Sequence, residues 1–258
     1  VDEAARRAAL SGKRIVVTRA RKQSEPLAEA LRRVGAEPVV LPLVEFAEPS
    51  DMQALDQSIR SLSSEFDWIL LTSQNAVGAI VASAERQKIS LRATARGIAA
   101  GCVGPTTAGA ARAAGLSVQH VAATHDGVSL AKELAGKLNS ARVLLPRSDL
   151  ANPELAHVLA EAGARVTEVV AYRTAAPSGL VSDVQQAFAA GMSSESFAEL
   201  ARSAVFTAIG PVTEQALRKA GVERIVKSKE QSAVGVIDSL AEYFAAKDSS
   251  NAAGAQRG

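Results

Sequence analysis

A single cysteine, Cys102, stands in 258 residues, which excludes an internal disulfide framework and any zinc site built on thiolates. Histidine is almost as scarce: His120, His125 and His157 lack metal-ligand spacing, so no metal is expected. Aromatic residues make up only 3% of the chain, too few for a surface that stacks nucleic-acid bases. The formal net charge is +2 and demands no polyanionic partner. No apolar run reaches the roughly 18 residues of a membrane span, and the opening VDEAARRAALSGKR lacks the apolar stretch of a secretory signal. A reduced, cytoplasmic setting without membrane or nucleic acid is the expectation. The phosphate-binding G-x-x-x-x-G-K-[ST] is missing too. The stretch GCVGPTTAG departs from the dinucleotide fingerprint because Thr106 stands where its last glycine belongs.

What is present is an ordinary globular composition, 47% apolar and 22% charged, on a chain long enough for two cores. Apolar strand-like runs alternate with stretches of helical periodicity. RIVVTR (Arg14–Arg19) reads as a buried strand, followed by a helix with Ser24 as N-cap, Pro26 in its first turn and Gly35 at its exit. PVVLPLVEF (Pro38–Phe46) reads as a long strand, and a polar helix is expected from about Ser50 to Ser64. DWILLTS, GIAAGCVG, VQHVA, RVLLPRS, VTEVVAYRT, AVFTAIGP and RIVKSK supply further strands, with a final amphipathic helix at Val236–Ala246 and a disordered tail, DSSNAAGAQRG. Such alternation predicts βαβ units around parallel sheets, with ligands beyond the carboxyl ends of the strands.

Two internal matches order these elements. VGPTTAGAARAAGL (Val103–Leu116) lies over IGPVTEQALRKAGV (Ile209–Val222), and RIVVTRARKQSEPLAEALRRVGAEP lies over RVLLPRSDLANPELAHVLAEAGARV. The two pairs occur in opposite order along the chain. The expectation is therefore two similar doubly wound α/β domains, one inserted in the other: a discontinuous domain of residues 1–43 and 176–258, an inserted domain of 47–171, and linker strands at 44–46 and 172–175. A two-stranded linker permits hinge motion around a cleft.

The motifs VVTRA, DWILLTSQNAV, CVGPTTAGAARAAGL, LLPRSDLANPELAHVLAEAGARV, VVAYRT and AIGPVTEQALRKAGV together resemble the uroporphyrinogen-III synthase family, in the family's order between Lys13 and Phe244. The resemblance implies two α/β lobes and a cofactor-independent lyase of tetrapyrrole (heme) biosynthesis. Such an enzyme is a monomer that cyclises linear hydroxymethylbilane with loss of water and inversion of ring D, with transient contact to hydroxymethylbilane synthase. One departure stands out. AFAAGMSSESFAELARSAVFTAIGP offers no apolar strand between Gly191 and FAELAR, where the family has one, and only Ser193 and Ser194 correspond to its hydroxyl turn.

A polycarboxylate substrate calls for anion-binding groups. Helix N-termini provide them through free N–H groups and the dipole, which nominates Gly104 and Thr107, Gly210 and Thr213, and the hydroxyl turn Thr72, Ser73 and Asn75. The alternative is that these threonines only cap helices. Arg19 and Arg147, each at the carboxyl end of a strand, suit bidentate carboxylate contact; surface ion pairing is the other reading. Tyr172, on the second linker strand, matches the family's tyrosine considered for helping the leaving hydroxyl depart, and half-buried packing is its structural alternative. A non-enzymatic bilobed anion-binding protein is the rival function. A nucleotide-sugar transferase with facing lobes is a third, disfavoured by the short length.

Overall fold

A computed structural model describes residues 1–124, 126–180, 182, 204–219, 221–230 and 232–255. The chain divides into two compact units, Val1–Glu45 with Ala176–Gly258, and Phe46–Ala175.

The first unit opens with α1 (Glu3–Leu10), capped by the Asp2 carboxylate, which accepts the Ala5 N–H at 2.7 Å. β1 (Arg14–Val17), α2 (Arg21–Arg33) and β2 (Glu37–Val40) follow, the two strands parallel with Arg14 opposite Glu37. α2 starts earlier than the sequence suggests. Its N-cap is Ala20 rather than Ser24, whose Oγ instead donates back to the carbonyls of Arg19 (2.8 Å) and Ala20 (3.2 Å). A hydroxyl satisfied by the preceding carbonyls is the usual interior use of serine. Gly35 leaves the helix at φ +79°, a conformation glycine alone adopts without strain.

The expected long strand at Pro38–Phe46 is broken. β2 ends at Val40, and β3 (Glu45–Ala47) resumes after Leu41–Val44. Leu41 and Leu43 donate to the carbonyls of Val17 and Thr18, but Pro42 between them has no N–H to continue a ladder. The second linker strand, by contrast, is continuous.

The second unit carries α3 (Gln53–Arg60), α4 (Leu62–Glu65), β4 (Trp68–Leu71), α5 (Gln74–Arg86), α6 (Leu91–Thr94), β5 (Ala99–Cys102), α7 (Pro105–Ala113), β6 (Ser117–Val121), α8 (Gly127–Leu138), β7 (Arg142–Ser148), α9 (Glu154–Glu161) and β8 (Arg165–Ala175). The sheet order is β3-β8-β7-β4-β5-β6, and β4 through β8 pair parallel. Alternate residues of the central strands enter opposite layers. Ile69, Leu71 and Leu144 join Leu55, Ile59 and Ile80 on one face, while Leu70, Val143 and Leu145 join Leu130, Leu134 and Leu159 on the other. All of these except Leu55 are fully buried, each worth about 1.5–3 kcal/mol. The sheet is doubly wound. The chain steps outward from β4 to β5 to β6, then returns to place β7 on the other side of β4, so the winding reverses between β4 and β7.

The first unit resumes with β9 (Phe206–Ala208), α10 (Pro211–Lys219), β10 (Ile225–Lys227), parallel to β9, and α11 (Ala233–Ala255). Val236, Ile237, Leu240 and Ala241 of α11 pack with Leu10, Val17 and Leu31. The helix runs on to Ala255, so most of the tail expected to be disordered is helical; its alanines are strong helix formers. The expected gap of a strand near 191–196, with Ser193 and Ser194, lies outside the described residues, as does His125.

Candidate active site at the carboxyl edge of the second unit

A doubly wound sheet binds ligands beyond the carboxyl ends of its strands, where the winding reverses. Here that point falls between the ends of β4 and β7. β4 runs into Thr72 and Ser73. The Ser73 backbone is extended, and its Oγ caps α5 by accepting the Ala76 N–H at 3.1 Å. That oxygen also lies 3.0 Å from the Tyr172 hydroxyl. Tyr172 belongs to β8, two strands away from β4, so its ring reaches along the strand ends past β7. Phe46 meets the ring edge-on, with centroids 5.6 Å apart and planes at 89°. Tyr172 is partly buried, and its hydroxyl is held at the head of a helix.

β5, next to β4, ends in the repeated Gly-Pro phrase. Gly104 is the N-cap of α7, with Pro105 in its first turn and no side-chain cap. The Gly104 carbonyl accepts the Ala108 N–H at 3.0 Å. Gly-Pro therefore starts the helix, and Thr107 does not cap it: the threonine is inside the first turn, buried, and makes no side-chain hydrogen bond among the described residues. Neither α5 nor α7 has an acidic residue in its first turn. The helices after β6 and β7 do carry acid there, through the Asp126 cap and Glu154. At this edge the positive helix ends left open to an outside anion are thus those of α5 and α7, after neighbouring strands about 4.8 Å apart.

The other nominated residues are placed differently. Thr72 and Asn75 are half-buried beside Ser73. Arg147 points into the protein: it is buried, donates to Glu168 Oε2 at 2.5 Å and also donates to the Asn152 carbonyl. In the first unit, Gly210 and Thr213 repeat the start of α7, with the Gly210 carbonyl accepting the Glu214 N–H at 3.1 Å. Thr213 is exposed and again is not a cap. Arg19 is exposed beside the start of α2.

Three residues at the carboxyl edge were not nominated: Ser148, Asp149 and Thr174. The Ser148 and Thr174 hydroxyls are 3.0 Å apart, and Asp149 Oδ1 accepts the Thr174 N–H at 2.9 Å. The Ser-Asp pair directly after the RVLLPR strand was the available signal. Backbone and hydroxyl donors, the Thr174 N–H first, hold the Asp149 carboxyl below its ordinary range. Cys102, at the end of β5, is fully buried, and burial pushes its thiol up to about 11, which makes it packing and not a nucleophile. Two surface depressions do not coincide with the Tyr172 hydroxyl. One of about 660 Å³ lies at the opposite, amino edge by Phe66, Arg142 and Arg165, and one of about 180 Å³ flanks Arg147 and Asp149. Among the described residues no group of histidine, cysteine, aspartate or glutamate is arranged to hold a metal, and no helix is long and apolar enough to cross a membrane.

The family described as uroporphyrinogen-III synthase HemD matches residues 25–238. Among curated relatives, the uroporphyrinogen-III synthase of Synechococcus elongatus is 34% identical over 175 residues, covering 67% of this chain. The porphyrin biosynthesis protein HemD of Ruminiclostridium josui is 30% identical over 64% of the chain. These stretches span 65% and 32% of the two relatives' own lengths. Of solved structures, a mutant uroporphyrinogen III synthase from Thermus thermophilus aligns with a TM-score of 0.59 at 20% identity, covering 92% of this chain and all of that one. The uroporphyrinogen-III synthetase of Helicobacter pylori 26695 aligns at 0.58 and 17% identity, covering 88% and 97%. The structural likenesses establish the shared α/β fold, and the match across most of the sequence places this chain in the uroporphyrinogen-III synthase family.

Proposed function

We propose that this protein is a uroporphyrinogen-III synthase, a lyase that cyclises hydroxymethylbilane with inversion of ring D and loss of water. The observation that carries the reading is the Tyr172 hydroxyl, 3.0 Å from the Ser73 cap oxygen, at the point of the sheet edge where a ligand is expected. Membership of the family supports this choice of reaction. The open ends of α5 and α7 suit the substrate's carboxylates, with Thr72 and Asn75 proposed beside the first and Gly104 at the second; Thr107, proposed with Gly104, is buried behind it. Arg19, Gly210 and Thr213 are the corresponding proposals in the first unit. Arg147, already paired with Glu168, is better suited to anchoring its loop than to holding substrate.

In the first step the C–O bond of the hydroxymethyl group breaks. Tyr172 assists by hydrogen-bonding or protonating the departing oxygen, which leaves as water, and an azafulvenium cation remains. The substituted α-carbon of ring D then attacks, forming a C–C bond and a spiro intermediate. Fragmentation and reclosure invert the ring, and loss of a ring proton restores the pyrrole. Ser73 orients the Tyr172 hydroxyl, since its Oγ already accepts the Ala76 N–H and keeps a proton to share. The rest of the task is holding a flexible tetrapyrrole so that inverted closure beats spontaneous closure, which is positioning.

The test is incubation with enzymically made hydroxymethylbilane, followed by oxidation and separation of type I and type III products. The type III isomer should dominate, before and after dialysis against a chelator. Tyr172→Phe should slow conversion on the order of 10²-fold while the melting temperature holds. Ligand binding with only type I product would instead favour the anion-binding protein without catalysis.

A further inference from the structure

The pairing of β7 with β8 changes register at the site. Arg147 lies opposite Val170, but the next residue, Ser148, lies opposite Tyr172. One extra residue, Ala171, is accommodated in β8. A bulge of this kind re-aims the side chain that follows it, and without it Tyr172 would present the opposite face of the sheet. Something must hold the strand in the shifted register, and β7 ends at that very residue.

In a parallel ladder, one residue donates its N–H to a carbonyl on the partner strand and accepts, through its own carbonyl, the N–H two positions further on. Asp149 makes both bonds, but the second comes from its side chain. Its N–H donates to the Tyr172 carbonyl at 3.2 Å, and its Oδ1 accepts the Thr174 N–H at 2.9 Å. The main chain can therefore turn away toward α9 while the carboxylate stands in for the missing carbonyl. Ser148 completes the clamp: its hydroxyl lies 3.0 Å from both Asp149 Oδ1 and Thr174 Oγ1 and accepts the Leu150 N–H at 3.2 Å. Arg147, bonded to the Asn152 carbonyl, ties down the far end of the same loop.

We propose that Asp149 is the positioning residue for Tyr172, holding the backbone on both sides of it so that its hydroxyl is delivered to Ser73. The proposal rests on Tyr172 acting on the substrate as described above, yet its geometry can be tested without turnover. Tyr172 and Tyr243 are the only two tyrosines, so protein labelled with 3-fluorotyrosine gives two ¹⁹F resonances, assigned with Tyr243→Phe. Asp149→Ala should move the Tyr172 resonance and leave that of Tyr243 in place. Its kcat for type III product should fall on the order of 10–100-fold, as a small misplacement can do, with KM little changed. Asp149→Asn keeps an acceptor oxygen and should restore the resonance and most of the rate. Asp149→Glu keeps the charge but displaces the oxygen, and should behave like Ala. In the Tyr172→Phe background, Asp149→Ala should cost nothing further. An unmoved Tyr172 resonance in Asp149→Ala and Asp149→Glu overturns the proposal. So does an equal rate loss with and without the Tyr172 hydroxyl. If the wild type forms no type III product, the catalytic reading fails while the fluorine result still decides the clamp.

Discussion

The phrase Gly-Pro-x-Thr occurs once in each unit, and the two copies build the same backbone but different surfaces. Both begin a helix with the glycine carbonyl accepting the N–H four residues on. Both leave it through a left-handed glycine, Gly115 at φ +91° and Gly221 at φ +79°. Around that shared frame everything else differs. The α7 copy follows a four-residue strand inside a six-stranded sheet, so Thr107, Ala108 and Ala111 are buried. The α10 copy follows a three-residue strand with one partner among the described residues, and Thr213 is exposed. Where α7 has Ala108, α10 has Glu214, which pairs with Arg218 and Lys227. A carboxylate already stationed in the first turn of α10 answers the helix dipole from within. An internal repeat thus preserves how the chain bends more faithfully than what the bend can bind.

The exits should separate the copies most. Gly115→Ala places a Cβ about 3.0 Å from the Cβ of Arg92 in an already strained conformation, whereas at Gly221 nothing lies within 4 Å. The first substitution should cost ~2–3 kcal/mol and the second ~1 kcal/mol, read from denaturant melts of both variants. Equal losses would mean that the surroundings of Gly115 yield freely.

The starts come next. Ser73→Ala removes a genuine cap and should cost ~1 kcal/mol as well as slowing conversion, because Tyr172 loses its partner. Thr213→Ala removes no cap and should stay within ~0.5 kcal/mol of wild type. A matched loss at both positions in thermal melts would restore the threonines to a capping role.

Adding acid to α7 should sharpen the contrast further. Thr106 is exposed in the first turn, and Thr106→Asp should stabilise the helix by ~0.3–1 kcal/mol while weakening binding of the type III product by a similar amount. Calorimetric titration beside a melt tests whether stability and affinity move in opposite directions; if they move together, α7 is not an anion site.

The smallest expected effect is electrostatic. Arg142 side-chain bonds, then its backbone N–H, lower the Asp67 carboxyl to about 2. A depressed carboxylate stabilises the fold above its unfolded value near 3.9, and that contribution is lost as pH falls toward 2. Both partners are substantially exposed, so solvent screening keeps the contribution below ~1 kcal/mol. Asp67→Asn should lower the melting point slightly at pH 6 and not at pH 2.

The parallel, doubly wound sheet was legible because strands buried on both faces read as apolar runs, such as WILL at Trp68–Leu71 and VLL at Val143–Leu145. The glycine exits were legible for a similar reason, since each marks a conformation other residues resist. Helix starts were less so. Ser24 and Thr107 carry the residue types of caps, but Ala20 and Gly104 hold those positions, and local composition cannot say which of several polar residues a helix will begin on. Tyr172 and Ser73 could each be nominated, but not their meeting, which depends on strand order and on a one-residue register shift. Arg147 shows the converse: its place at a strand end was foreseeable, its burial against Glu168 was not.

The division of the chain has a consequence for how the protein comes into being. The second unit is one uninterrupted stretch, Phe46–Ala175, and all its strands are available once that stretch has been synthesised. The first unit is not so favoured. Leu10, Val17 and Leu31 await Val236, Ile237 and Leu240, which follow on the order of ten to forty seconds later at ordinary translation rates. For that interval Leu10, Val17 and Leu31 wait with their apolar faces open to any chaperone or misassembly that arrives first. The ribosome therefore carries a finished unit tethered to an unfinished one, and α11 decides when the first unit can close.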